Sequence, residues 1–279
     1  MNSVDLHIHS SYSSDGEFSP AKIVEMARER GLSTISITDH NTIRGVKEAF
    51  ESVDLAGIHL ISGIEIDCMF QELNLHVLGY GIHIDAPAFL EIEKTAFKQE
   101  QYAFPYLIKK LQALGFNVQE DVVRKSTTAP IPAPEDIAKV ILDADKNRSD
   151  HRLYPYRPGG TKSDMPYVHF FYDYCAKGRP AYIAKAYPDM QNVIEIIKDA
   201  GGIPVLAHPG ASLSAPYRQL LDIISAGMEG IEVFSSYHDK TETQFFLKIA
   251  DSHKLIVTRG SDFHGKNKPR ITIGSTQRK

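Results

Sequence analysis

Histidine and aspartate recur at or just past the C-terminal ends of segments patterned as β-strands, and this placement constrains the chain more than any other feature. Residues 4–9 alternate apolar and polar side chains and carry His7 and His9 two residues apart, so both imidazoles share one face of a strand. A second strand over 34–38 ends at Asp39-His40. A third over 58–66 carries Glu65, and a fourth over 73–80 carries His76. Residues 203–207 deliver His208, 230–234 form another strand, and 255–258 lead into Ser261-Asp262-Phe263-His264. Helical segments lie between the strands, with Ser19-Pro20 and Asp189 as start signals and Gly31 and Gly201-Gly202 as stops. Such alternation predicts an α/β fold of mostly parallel strands. In an α/β barrel the strand ends converge on one mouth, where sites form.

From about residue 85 the rhythm changes. A helix is expected over 88–114, kinked at Pro105, then a turn rich in proline (Pro130, Pro132, Pro134), a short helix and a loop over 143–165 too polar and irregular to enter a core. The expected organisation is a barrel domain from 1–85 and 177–279, with 86–176 as an inserted, mainly helical subdomain.

The 279 residues carry a net charge of −4, which argues against a general binder of nucleic acid or anionic membranes. An anionic substrate must then be drawn in locally, by metals or a few cations. No apolar run approaches the ~20 residues of a membrane-spanning helix. The opening residues, with Asp5, His7 and His9, do not read as a signal peptide. Cys68 and Cys175 form no C-x-x-C pair and read as buried thiols of a cytoplasmic protein.

Imidazoles and carboxylates together suit divalent zinc, manganese or iron. A lone H-x-H is weak evidence. H-x-H on the first strand, D-H after the second, E on the third and D-x-H after the last form a far more specific pattern, in which Glu65 can offer one oxygen to each of two ions.

The segments Asp5-Leu6-His7-Ile8-His9, Ser14-Asp15-Gly16, Ile37-Thr38-Asp39-His40, Gly63-Ile64-Glu65, His76, Ala207-His208-Pro209-Gly210 and Gly260-Ser261-Asp262-Phe263-His264 resemble the polymerase and histidinol phosphatase (PHP) family of metal-dependent phosphoesterases. The resemblance spans nearly the whole chain and leaves only the insertion uncovered. It implies a distorted seven-stranded (β/α) barrel with two or three divalent metal ions (Mn, Fe or Zn) in its mouth. Carried over by position, it implies His7, His9, Glu65 and Asp262 around one ion. Glu65, His76 and His208 would hold a second, and Asp15, His40 and His264 a third. Where many relatives have Asp after the second-strand histidine, this chain has Asn41. The subgroup resembled acts on small nucleotides, as 3′,5′-nucleotide bisphosphate phosphatases and exonucleases that trim short RNA from its 5′ end. It implies a small phosphorylated substrate and no stable nucleic-acid or membrane complex.

Two metals ~3.5–4 Å apart can bridge a water and lower its pKa, so that the hydroxide attacks phosphorus in line with the departing alkoxide. The general acid stays open. His238 is one candidate, and a surface position in the loop 235–239 is the alternative. Lys185 and Arg179, flanking an expected strand over 180–184, are candidates to grip a second phosphate. Arg148, Arg152, Arg157 and Lys162 form either an anion-binding lid or a solvated loop. Phe170, Phe171, Tyr172 and Tyr174 either stack on a base or pack a helix. A histidinol-phosphate phosphatase would use the same ligands, and a metal-dependent amidohydrolase shares the H-x-H strand and late Asp.

Overall fold

The computed structural model describes residues 4–52, 54–55 and 57–276. Seven strands, β1 (Val4–Ile8), β2 (Thr34–Ile37), β3 (His59–Phe70), β4 (Leu73–Tyr80), β5 (Ile203–Leu206), β6 (Gly230–Ser235) and β7 (Ile256–Gly260), pair in sequence order. β1–β2–β3 and β5–β6–β7 are parallel, whereas β4 runs antiparallel to both its neighbours. The reversal comes from the tight β3–β4 connection at Gln71 and Glu72, with Gln71 at φ 53°; only antiparallel strands can be joined by two residues. The sheet nearly closes on itself: Ile8 bridges Phe263, His9 N–H donates to Phe263 O at 3.0 Å and Asp262 N–H to His7 O at 2.8 Å. A distorted seven-stranded α/β barrel results.

Helices α1 (Pro20–Glu29) and α2 (Arg44–Ser52) pack outside the first strands. Ser19 caps α1 as expected, its hydroxyl accepting from Lys22 N–H. α3 (Pro87–Ala113) runs unbroken through Pro105 and, at 1.5 Å per residue, spans about 40 Å. α4 (Glu120–Ser126), α5 (Pro134–Asp143) and α6 (Pro166–Phe170) follow, the last continuing into a π-helical turn over Phe171–Cys175. α7 (Met190–Asp199), capped by Asp189, then α8 (Pro209–Ser212), α9 (Leu220–Ser225) and α10 (Lys240–His253) complete the barrel's outer layer.

Two large apolar clusters form. One joins the strands to the outer helices through residues such as Ile37, Ile64, Ile194 and Phe246. The other gathers Leu107, Leu111, Phe116, Ile137, Ile141 and Phe170 from the helices between β4 and β5. α3 contributes to both, with Phe89 in the first and Leu111 in the second.

Several expectations are corrected. The third strand extends to Phe70, which brings Asp67 onto it. Residues 180–184 are not a strand: Tyr182 N–H turns back to Arg179 O and Ala181 N–H bonds Tyr174 O, so no sheet edge is available to them. The loop 143–165 is not excluded from the core, because a 3₁₀ segment over His151–Tyr156 buries Leu153 and Tyr156 in the second cluster. The helix expected from Pro216 starts at Leu220, after Tyr217 adopts φ 57°.

Candidate metal centre

The period-2 geometry of β1 turns His7 and His9 into the barrel mouth, both fully buried. Their Nε2 atoms lie 3.1 Å apart. Glu65 Oε2 is 3.2 Å from each, and Asp262 Oδ1 is 3.4 Å from His7 and 3.1 Å from His9. Four donors 2.0–2.2 Å from a tetrahedral ion are separated by about 3.3–3.6 Å, so this spacing fits a divalent cation.

Hydrogen bonds behind the rings fix which nitrogen is free. His7 Nδ1–H donates to Glu232 Oε1 at 3.0 Å. His9 Nδ1–H donates to Ser13 Oγ at 3.0 Å, and that hydroxyl donates to Asp39 Oδ1. Both Nε2 lone pairs therefore face each other and two carboxylate oxygens. Glu65 Oε2 and Asp262 Oδ1 are buried with no hydrogen-bond partner, as are Asp15 Oδ1, His40 Nδ1 and His264 Nε2. Buried polar atoms are rarely left unmatched, and cations seated in these groups would supply the missing partners.

The other oxygen of Glu65, Oε1, faces a second group: His76 Nδ1 at 3.0 Å and His208 Nε2 at 3.2 Å. A third group joins Asp15, His40 and His264 beside His9. His264 Nδ1–H donates to Asp262 O at 2.9 Å, leaving Nε2 3.1 Å from Asp15 Oδ2; His40 Nε2 is 4.0 Å from the same oxygen. The structure thus brings His7, His9, Asp15, His40, Glu65, His76, His208, Asp262 and His264 into one constellation; His9 also stands with the Asp15 group, His40 Nδ1 lies 3.2 Å from Glu65 Oε2, and a fourth group joins His40, Asp67 and His76.

Burial opposes charge on each of these groups, yet other forces prevail for several. The carboxylates of Glu65, Glu232 and Asp262 raise the His7 imidazole well above its ordinary range despite burial. Glu65 is held well below the carboxylate range by His7, His40 and His76, and Asp262 by Lys268 and His264. His9 is pushed down to about 4 by burial, then by His264 and His40. The anionic carboxylates and the neutral His9 are in the state that metal binding requires, whereas His7, held protonated by the same carboxylates, must release its proton to an ion.

Sequence reasoning missed several supporting residues. Glu232, fully buried on β6, also accepts the His208 backbone N–H at 2.9 Å; its signal was a carboxylate in an otherwise apolar strand. Asp67, two residues beyond Glu65, stands 3.0 Å from His76 Nε2. Lys268 Nζ and the Tyr237 hydroxyl donate to Asp262 Oδ2 at 2.6 and 2.5 Å; they lie on irregular segments where no periodicity marks them.

The constellation floors a cleft of about 850 Å³ whose far wall is built by the helices between β4 and β5. Glu93, Phe97 and Glu100, one face of α3, line it, with Ile131, Phe171 and Tyr172 beyond. Lys185 lines the cleft and is ion-paired with Glu100, whereas Arg179 is exposed and stands outside it. The loop cations are no lid: Arg152 holds Asp150 and Leu114 O, Arg157 the carbonyls of Arg148 and Asn147, and Lys162 pairs with Asp173. Arg148 faces Asp145. Phe170 is buried in the helical cluster, and Tyr174 packs on it and on Phe116. His238 is not a surface residue. It is fully buried, with Nδ1–H donating to Val233 O and Nε2 accepting from Gly210 N–H, so neither nitrogen faces a substrate.

A barrel mouth lined with imidazoles and carboxylates in this arrangement is the build of a metal-dependent hydrolase. Comparison with known proteins narrows the class: residues 5–201 match the PHP domain family, and the chain belongs to it, as a metal-dependent phosphoesterase. It is 27% identical to a 3′,5′-nucleoside bisphosphate phosphatase of Chromobacterium violaceum, over 99% of this chain and 92% of the relative. It is 29% identical to a 5′-3′ exoribonuclease of Haemophilus influenzae, covering 93% and 89%. The structure of a protein from Bifidobacterium adolescentis assigned as a metal-dependent phosphoesterase superposes with a TM-score of 0.75 at 27% identity, covering 98% of this chain and 91% of that one.

Proposed function

We propose that the substrate is a phosphate ester of a small nucleotide, with 3′,5′-nucleotide bisphosphates and 5′-phosphorylated short RNA as first candidates. The observation that carries the metal chemistry is the pair of orphaned oxygens, Glu65 Oε2 and Asp262 Oδ1, against two imidazole lone pairs. His7, His9, Glu65 and Asp262 would hold one ion, Glu65, His76 and His208 a second, and Asp15, His40 and His264 a third. Manganese, iron and zinc all suit this donor set. Bound ions supply an activated water and offset the charge that builds on phosphorus.

The chain's own side chains do the rest. Glu232 and Ser13 hold the His7 and His9 rings with Nε2 inward. Glu65 divides its two oxygens between neighbouring groups, which keeps those groups in register. The helices between β4 and β5 wall the cleft with Phe97, Ile131, Phe171 and Tyr172 among carboxylates, a surface against which a base can lie, and Lys185 lines the same cleft. Nucleotide preference rests on the named relatives together with this wall.

The test is phosphate release after metal stripping and reloading with Mn. The panel is adenosine 3′,5′-bisphosphate, AMP, histidinol phosphate and a short 5′-phosphorylated RNA, with Asp262→Ala as control. Turnover of the bisphosphate or the RNA, lost in the control, is expected. Preference for histidinol phosphate would overturn the substrate assignment and keep the metal chemistry.

A further inference from the structure

We propose that Asp67, held in place by Asn41, is a positioning residue of the metal centre that sets which nitrogen of His76 faces the Glu65–His208 group. This rests on the metal-centre reading above. The His76 ring lies between two carboxylates, with Nδ1 3.0 Å from Glu65 Oε1 and Nε2 3.0 Å from Asp67 Oδ1. A ligating imidazole has one lone pair and one N–H, so only one of these edges can carry an ion. On the Glu65 side a third donor, His208 Nε2, converges 3.2 Å from the same oxygen. On the other side the next donor, His40 Nδ1, completes a looser His40–Asp67–His76 group at 3.7 Å from Asp67 Oδ1 and lies nearer Glu65 Oε2, at 3.2 Å. Asp67 itself is already tied. Its Oδ2 accepts from Asn41 Nδ2 at 2.7 Å, and its backbone N–H donates to Asn41 Oδ1 at 3.1 Å. That reciprocal pair fixes the carboxyl plane and leaves Oδ1 to accept the His76 Nε2–H. The carboxylate–imidazole pair then turns the Nδ1 lone pair inward and makes it a stronger donor.

Asn41 serves this through its backbone as well. It sits at φ 57°, in the left-handed region that asparagine tolerates, one residue past His40. The amide found where a carboxylate was expected is what allows a carboxylate at 67. Two carboxylates at that spacing would repel each other, and an amide can both donate to and accept from its partner.

The test uses the full chain and reads metal affinity directly, by chelator competition and bound-metal analysis after gel filtration, with circular dichroism as the check on folding. Asp67→Asn and Asp67→Ala are expected to weaken one class of bound ion 10–100-fold and leave the remaining ions as tight as in the parent. Asn41→Gly removes the amide while favouring the positive φ, and is expected to weaken the same class by a smaller factor. Asn41→Asp alone should weaken it too, and adding Asp67→Asn to that variant should restore part of the loss, because the exchanged amide still offers an oxygen to His76. Such recovery is a coupling that a packing role does not produce. Unchanged affinity for every ion in Asp67→Ala, or strictly additive losses in the exchange, would overturn the proposal. A parent chain that binds no metal would instead overturn the metal-centre reading itself.

Discussion

At the scale of single residues, the centre depends on side chains that touch no ion. Glu232 uses its two oxygens on different partners, His7 Nδ1–H and the His208 backbone N–H, and so aligns donors from two of the three groups. Glu232→Gln keeps the shape but presents an NH₂ to one of two donors. Its metal affinity should fall 10–100-fold with secondary structure unchanged, measured by chelator competition; retained affinity would show that the His7 tautomer is set elsewhere. The candidate ligands were legible in the sequence because their type and position coincide: a histidine or aspartate at a strand's end is conspicuous. Glu232 was harder to see because it sits inside a strand, where one carboxylate hides in the alternation, and Asp67 because its strand runs on past the expected end at 66. Lys268 and Tyr237 reach Asp262 from irregular backbone, and only the fold brings them there.

At the scale of elements, close approach of strands leaves little room for change. β7 crosses β1 at Gly260, where a Cβ would lie 2.1 Å from His7 Cβ and 2.4 Å from Glu232 Oε1. Gly260→Ala must displace a candidate ligand and its support together. At least a tenfold loss of phosphate release is expected, with a fall in metal content; a variant as active as its parent would mean that the strands part at no cost to the site. The strand segments and most helices followed from hydrophobic period and caps. The segment 180–184 misled because its residues suit a strand while the sheet offers them no partner. α3 shows the converse: the 3.6-residue period revealed a helix but not that Glu93, Phe97 and Glu100 on one face would wall the cleft. Which face meets the barrel depends on β4, whose reversal no local pattern announced.

At the scale of the whole molecule, the buried carboxylates and imidazoles of the mouth couple stability to the ions they hold. A ligand bound only by the folded chain stabilises it by about 2.7 kcal/mol at a hundredfold excess over Kd. Treatment with a chelator should therefore lower the melting temperature, readdition of Mn should restore it, and the difference should shrink in Asp262→Ala; a melting temperature indifferent to chelation would argue that the mouth is held by hydrogen bonds alone. The barrel's seam also has a bearing on how the protein comes into being. His7 and His9 stand on and just past β1, yet the strand beside it at the seam is β7, and Asp262 and His264 follow that strand. During synthesis His7 and His9 lack these partners until residues 262–264 have been made. A chain halted before residue 262 would carry all seven strands of the barrel yet lack two of the candidate ligands, Asp262 and His264.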